Sequence, residues 1–187
     1  MKRAQATLPR RVLCVFPRYT KSFGTFENAY PFVGTKAFMP PQGILVIAAY
    51  LPETWDVRFI DENVRPARAS DFEWAEVVFV SGMHIQRQQI NDINRRAHLH
   101  GRASVLGGPS VSGCPEYYPE FDYLHVGELG DATQALVDRL ETSVARPHSQ
   151  IRFETKERLP LGDFPVPAYQ LIDVSQYFLG SVQFSSG

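Results

Sequence analysis

Hydrophobic and polar positions alternate between two periods along the first 145 residues. Val12-Leu13-Cys14-Val15-Phe16 is a continuous apolar run halted at Pro17, the pattern of a strand covered on both faces. Gly43 to Leu51, after Pro40-Pro41, carries Ala48-Ala49 and no turn residue, which predicts a short helix. Val57 to Ile60 predicts a second strand ending at Asp61-Glu62-Asn63, and Ser70-Asp71-Phe72-Glu73 has the form of a capping box opening a brief helix. Val77 to Val80 is the plainest strand, closed by Ser81-Gly82. Ile90, Ile93 and Ala97 then recur at helical spacing within 85–100, and Gly101 stands at the stop position. Ala103 to Leu106 and Tyr123 to Val126 predict strands four and five. Asp131 with Gln134 has capping-box form, opening a last helix that runs to about Thr142.

Strand–helix alternation of this kind predicts an α/β fold: a five-stranded parallel sheet, flavodoxin-like or Rossmann-like, with helices on both faces and strand order 2-1-3-4-5. Two regions do not fit that plan. Residues 17–40 form a long connection rich in aromatics, among them Tyr19, Phe23, Phe26, Tyr30, Phe32 and Phe38. Such a loop either packs its own side chains or forms a lid over a flat ligand at the sheet edge, and the pattern leaves both open. From Arg146 onward Pro147, Pro160, Pro165 and Pro167 punctuate an extended linker. Within it Ile151–Thr155 can form one more strand, and 178–184 reads as another. The division expected is therefore 1–145 as one domain and 146–187 as a linker running into the first strand of a second.

Composition narrows the classes. Of 187 residues 44% are hydrophobic and 12% aromatic, enough for a full core, which excludes disorder and a stapled mini-protein. Nineteen basic against twenty acidic side chains leave a net charge of −1, so no positive field for nucleic acid arises. No stretch approaches the ~20 apolar residues of a membrane span. Two cysteines, Cys14 and Cys114, cannot build a disulfide framework, and a reducing, cytoplasmic setting is the default.

Ligands of open parallel sheets bind beyond the carboxyl ends of the strands. Those ends here are Phe16-Pro17, Asp61-Glu62, Ser81-Gly82-Met83-His84, Gly107-Gly108-Pro109 and Gly127-Glu128. Three of the five carry glycine, more than tight turns alone need, and glycine lets a backbone approach a ligand closely. The common alternatives fail at the first end. Phe16-Pro17-Arg18 offers neither a Gly-x-Gly-x-x-Gly turn, nor a flavodoxin phosphate loop, nor the aspartate of a phospho-acceptor, and the chain has no Gly-x-Ser-x-Gly elbow. His84 stands where it can touch a ligand or a metal, or simply cap the next helix. His125, inside a strand, is expected to be buried and satisfied; His98 and His100, at a helix end, solvated. Cys14 reads as a small buried hydrophobe, and Cys114 has no visible activating partner.

Several segments together resemble the N-terminal part of B12-binding radical S-adenosylmethionine (radical SAM) proteins over essentially the whole length. They are Pro40-Pro41-Gln42-Gly43, Ser81-Gly82-Met83-His84-Ile85-Gln86, Gly107-Gly108-Pro109-Ser110-Val111 and Gly127-Glu128-Leu129-Gly130-Asp131-Ala132. Phe164-Pro165-Val166-Pro167-Ala168-Tyr169 and Val182-Gln183-Phe184-Ser185-Ser186-Gly187 complete the set. The branch that includes hopanoid methylases shares them, as do neighbouring branches. In that family the last Ser-Ser-Gly is followed directly by the three-cysteine motif that binds a 4Fe–4S cluster.

The resemblance implies a cobalamin site. Ser81-x-Met83 is similar to the Ser-x-Leu element of cobalamin domains, and Gly107-Gly108 to the paired glycines that line a slot for the cofactor's nucleotide tail. On this basis the expected cofactor-binding residues are Pro41, Gly43, Ser81, Gly82, Met83, His84, Gly107, Gly108, Pro109, Gly127 and Glu128. No catalytic residue and no protein metal ligand is expected. The family's Asp-x-His-x-x-Gly element, which supplies a histidine below cobalt, is absent after the first strand, and residues 17–40 occupy its place. The implied protein is a cobalamin-dependent methyltransferase acting on an unactivated carbon. Its 4Fe–4S cluster and S-adenosylmethionine are implied only for a downstream radical SAM domain, so the fragment alone is not an enzyme. The competing readings are a degenerate domain that binds nothing and serves as a docking or lid element, and an unrelated flavodoxin-like sensor.

Overall fold

A computed structural model describes residues 9–182. Strands β1 (Arg11–Phe16), β2 (Asp56–Asp61), β3 (Val77–Ser81), β4 (Ala103–Gly107), β5 (Tyr123–Val126) and β6 (Ile151–Glu154) form one parallel sheet in the order β2-β1-β3-β4-β5-β6. The expected order of the first five strands holds. The count of five does not: residues 151–154 leave the linker to pair with β5, Tyr123 beside Ile151 through Val126 beside Glu154. The strand expected over Ile151–Thr155 thus forms, but as a sixth, edge strand of this sheet with alternating half-buried and exposed positions.

The continuous apolar runs become strands because both faces of the sheet are covered. Val12, Cys14 and Phe16 of β1 enter one core with Val77 and Phe79, and that core also takes Ile44 and Leu136. Leu13 and Val15 enter the other with Val78 and Val80, together with Phe72 and Ile90. The first face is closed by α2 (Gln42–Tyr50) and α6 (Asp131–Thr142), and the second by α3 (Ala69–Trp74), α4 (Arg87–Leu99) and the short α5 (Pro109–Gly113). Cys14 is wholly buried and its thiol is pushed up to about 12 by that burial, as a packing residue requires.

Both expected capping boxes form differently. At α3 the Asp71 carboxylate accepts from Arg68 N at 2.8 Å, so Arg68, not Ser70, is the cap position. At α6 Thr133 Oγ1 accepts from Gly130 N at 3.1 Å. Asp131 instead turns outward, and its Oδ1 accepts from Lys156 N and Glu157 N at 3.0 and 3.2 Å. His98 is not solvated: its Nε2 lies 2.9 Å from Asp122 Oδ2 and its Nδ1 3.1 Å from Arg146 Nη2.

The long connection 17–40 holds a 3-10 turn at Phe23–Thr25 and a four-residue helix, α1 (Tyr30–Val33). It is tied to the tail: Lys36 N and Ala37 N donate to Gln176 O, Phe178 N donates to Ala37 O at 3.0 Å, and Leu179 N to Phe38 O at 2.8 Å. That pairing consists of one bridge, Ala37 with Tyr177, and not of the strand expected over 178–184. Residues 178–182 are irregular, and the rest of that expected strand, from Gln183, lies outside the described residues.

Candidate cofactor site

Beyond the carboxyl ends of β3, β4 and β5, between α2 and α6, the sheet opens into a cavity of about 380 Å³. That volume falls within the ~300–1,000 Å³ usual for small-molecule sites. Its walls are mostly apolar: Ile44 and Ile47 from α2, Phe79 and Val105 from the sheet, Leu136 and Val137 from α6. The strand ends form its rim, with Ser81 from β3, Gly107-Gly108-Pro109 from β4 and Gly127-Glu128 from β5.

The glycines are dictated by close approach. Gly108 has φ +91°, and a Cβ there would overlap Ser81 Oγ, so the ends of β3 and β4 meet only because position 108 has no side chain. Gly127, at φ +101°, lies under Thr155, whose Cβ would stand 3.1 Å from an added methyl. Ser112 Oγ accepts from Gly127 N at 3.0 Å and Ser112 N donates to Gly108 O at 3.1 Å, which joins the β4 and β5 sides of the rim.

Besides Ser81, Ser112 and Glu128 of the rim, two further polar side chains, His125 and Thr133, line the cavity. His125, 5% exposed, places Nε2 2.9 Å from Thr133 Oγ1, which in turn accepts the Gly130 amide. Burial holds the imidazole below its ordinary pKa, so it is neutral near pH 7. This chain of hydrogen bonds fastens the first turn of α6 to the end of β5.

Of the eleven residues expected at the site, Gly43, Ser81, Gly107, Gly108, Pro109, Gly127 and Glu128 line the cavity. Pro41, Gly82, Met83 and His84 do not. Pro41 is the cap of α2, one turn outside the wall. Gly82 is buried below the rim, where its carbonyl accepts from Ser110 N at 3.3 Å. Met83 and His84 stand on the outer edge: Tyr19 OH donates to Met83 Sδ at 3.7 Å, and the His84 ring packs 5.4 Å from Tyr117. The neighbouring Gln86 is fully buried and holds this edge together, accepting from Met83 N at 2.8 Å and donating to Pro17 O.

Sequence reasoning passed over Leu129, Thr133, Val137 and Phe164, which also line the cavity. The helical spacing of Thr133, Leu136 and Val137 is the available signal; Phe164 opens the tail segment 164–169 that shares in the resemblance, but no periodicity points it at the cavity. No residue of 17–40 lines the cavity, and that connection packs instead on the tail.

A glycine-rimmed apolar slot of this depth at the carboxyl edge is decisive when joined to one comparison: the B12 binding domain family matches residues 33–137. The chain belongs to the B12-binding domain family. This B12-binding domain is 63% identical over 188 aligned residues to hopanoid C-2 methylase of Rhodopseudomonas palustris (strain TIE-1), covering all of this chain and 36% of that protein. It is 32% identical over 180 residues to the uncharacterized methyltransferase sll1242 of Synechocystis sp. (strain ATCC 27184 / PCC 6803 / Kazusa), covering 95% of this chain and 33% of that one. The domain thus spans about a third of the length of these relatives. No solved structure gives a significant match.

The residues present fit cobalamin. An apolar slot walled by Ile44, Phe79, Val105 and Val137 suits a flat heteroaromatic base, and Ser81 at its rim offers a hydroxyl to a polar arm. Among the described residues no cluster of three or more His, Cys, Asp or Glu could hold a metal ion, and no helix is long and apolar enough to cross a membrane.

Proposed function

We propose that this chain is the cobalamin-binding module of a longer, cytoplasmic methyltransferase of the radical SAM type. The observation that carries the reading is the slot itself, placed at the carboxyl ends of β3–β5 in a B12-binding domain whose relatives are methyltransferases. Bound cobalamin would supply a transferable methyl group. The chain's own part is to grip the cofactor: the α2 and α6 walls enclose the nucleotide tail and keep water from it, and Ser81 Oγ offers the rim a hydrogen bond. Gln86 and Gly82 keep the Met83–His84 ledge at a fixed height beside the opening.

Cluster and S-adenosylmethionine binding are assigned to the chain that follows, since a three-cysteine site cannot be made from Cys14 and Cys114. Residues 1–145 are the cobalamin domain and 146–187 the linker to that second part, with β6 and Ala168 of the linker packed onto the first. The 63% identity makes a hopanoid, a polycyclic terpenoid, the first substrate class to test.

The protein is incubated with hydroxocobalamin, desalted, and its visible spectrum recorded. Stoichiometric corrin absorbance supports the module; a colourless protein means instead a degenerate domain used for docking.

A further inference from the structure

The tail-to-loop pairing has two faces. Ala37 and Tyr177 point inward and are buried; Phe38 and Phe178, next along each segment, turn outward with ring centroids 6.4 Å apart. Phe26 stacks on Phe38 at 5.9 Å, extending the row to three rings. Met39 and Leu179, next to Phe38 and Phe178 in sequence, are also exposed, and Phe32 of the same loop is 90% exposed. Seven of the thirteen large apolar side chains that stand exposed among the described residues fall within 26–39 and 178–182. Single exposed apolar residues need no explanation, but a contiguous set marks a contact surface.

We propose that this apolar surface is where the continuation of the chain docks, so that the second part of the protein is seated on the 26–39 loop and the 178–182 tail. The proposal rests on the reading that the chain is one module of a longer methyltransferase. Three observations select this occupant. The domain accounts for 36% and 33% of its relatives' lengths, so about two thirds of each lies outside it. Nearly half of the surface is built from the C-terminal tail, which on that reading leads into the remainder and would hold a following domain beside it at high effective concentration. The charges at its border are also mixed. Lys21 pairs with Glu27 at 3.2 Å, and Asp173 lies near Lys36. A lipid-binding face would instead carry unpaired basic residues.

The sequence supplies its own probe, having four lysines, of which Lys21 and Lys36 flank the surface while Lys156 lies just after β6. Amine-reactive cross-linking of the full-length protein, read by mass spectrometry, is expected to join Lys36 or Lys21 to lysines beyond residue 187. Phe178→Asp with Phe32→Asp should lower those cross-links about tenfold or more, because a docked surface would bury unpaired carboxylates. Phe32 is 90% exposed, so Phe32→Asp alone, made in parallel, should lower the cross-links while the domain keeps its melting temperature.

Cross-links from Lys36 confined to residues 9–182, or formed only between two copies, overturn the proposal. So does protection of 26–39 that arises only on anionic vesicles. Corrin retention is measured on the same samples. Retained cobalamin without the downstream cross-links sinks the docking surface alone, whereas a colourless protein with intact cross-links sinks the cobalamin reading alone.

Discussion

Gly108 faces Ser81 across the ends of β4 and β3 with no room between them for a methyl group, and it does so at a positive φ. Gly108→Ala should therefore destabilise the domain by about 1–3 kcal/mol, from backbone strain and overlap together. Urea unfolding reads this as a lower midpoint at constant slope. Gly108→Val should abolish corrin retention, yet it distorts the rim as well. Ser81→Ala relieves nothing and should only weaken retention.

Gly43 is the cleaner probe of the slot. It lines the cavity from the first turn of α2, and an added Cβ meets nothing within 4 Å. Replacing glycine by leucine in a helix gains up to about 1 kcal/mol of propensity. Gly43→Leu should hold or raise the melting temperature while lowering cobalamin retention. A stable variant that keeps full corrin absorbance would put the cofactor elsewhere.

Gln86→Leu keeps the side chain's size and removes both of its hydrogen bonds. Met83 N then loses its partner and Pro17 O keeps only the longer bond from Asn63 Nδ2 at 3.4 Å, at a cost of about 1–3 kcal/mol. Hydrogen exchange should quicken at residues 82–86 first, since that ledge loses its anchor to the end of β1. Unchanged exchange there would mean the amide has no fastening role.

His125 makes the domain acid-sensitive in a definite direction. Burial lowers its folded-state pKa below the ordinary 6.5, so the unfolded chain binds more protons in the interval between the two values. Its contribution is complete above pH 6.5 and is lost as pH falls toward the folded value. His125→Gln, which keeps a partner for Thr133, should flatten the slope of stability against pH just below 6.5. A slope unchanged by the substitution would assign it to other groups.

Asp61 acts in the opposite sense. It ends β2, is 4% exposed, and accepts from Asn63 N at 2.8 Å and from the Tyr177 hydroxyl. Burial raises its pKa despite the hydrogen bonds from Asn63 and Tyr177 that pull it down. The folded state is therefore penalised as pH rises from the ordinary carboxylate range through the raised value. Asp61→Asn should remove that dependence and match or exceed the parent's stability at pH 7. Tyr177→Phe should cost about 1.5–3 kcal/mol, as loss of a hydrogen bond to a charged group does, and should speed proteolysis of the tail.

Most of the sheet was legible because a strand buried on both faces needs nothing but an apolar run, and Val12–Phe16 or Val77–Val80 are such runs. The rim was legible for a different reason: Gly108 and Gly127 sit where the backbone is forced into positive φ, and few residues tolerate that. What escaped depends on partners distant in sequence. Asp131 opens α6 yet serves residues 156–157, and His98 ends a helix yet is covered by Asp122 and Arg146. Neither arrangement has a local signature. The five-residue α5 is too short for any period to be read; β6 is legible as a strand over 151–155, but nothing local says that it pairs with β5. Pro41, Gly82, Met83 and His84, which the resemblance implies at the site, stand outside the cavity wall: Pro41 caps α2, Gly82 is buried, and the turn after β3 leaves Met83 and His84 exposed.

The tail has a mechanical consequence. It leaves β6 at one edge of the sheet and reaches Asp61 of β2 at the other, a traverse of about 24 Å for six strands. On the way Phe164 forms part of the cavity wall, and Ala168 N donates to Leu45 O of α2 at 3.0 Å. Any pull applied at the far end of this tether thus loads the Leu179–Phe38, Phe178–Ala37 and Tyr177–Asp61 contacts first, and α2 with the slot beneath it only once these give way. The cofactor's grip and the position of whatever the tether carries are coupled through a single strand of backbone.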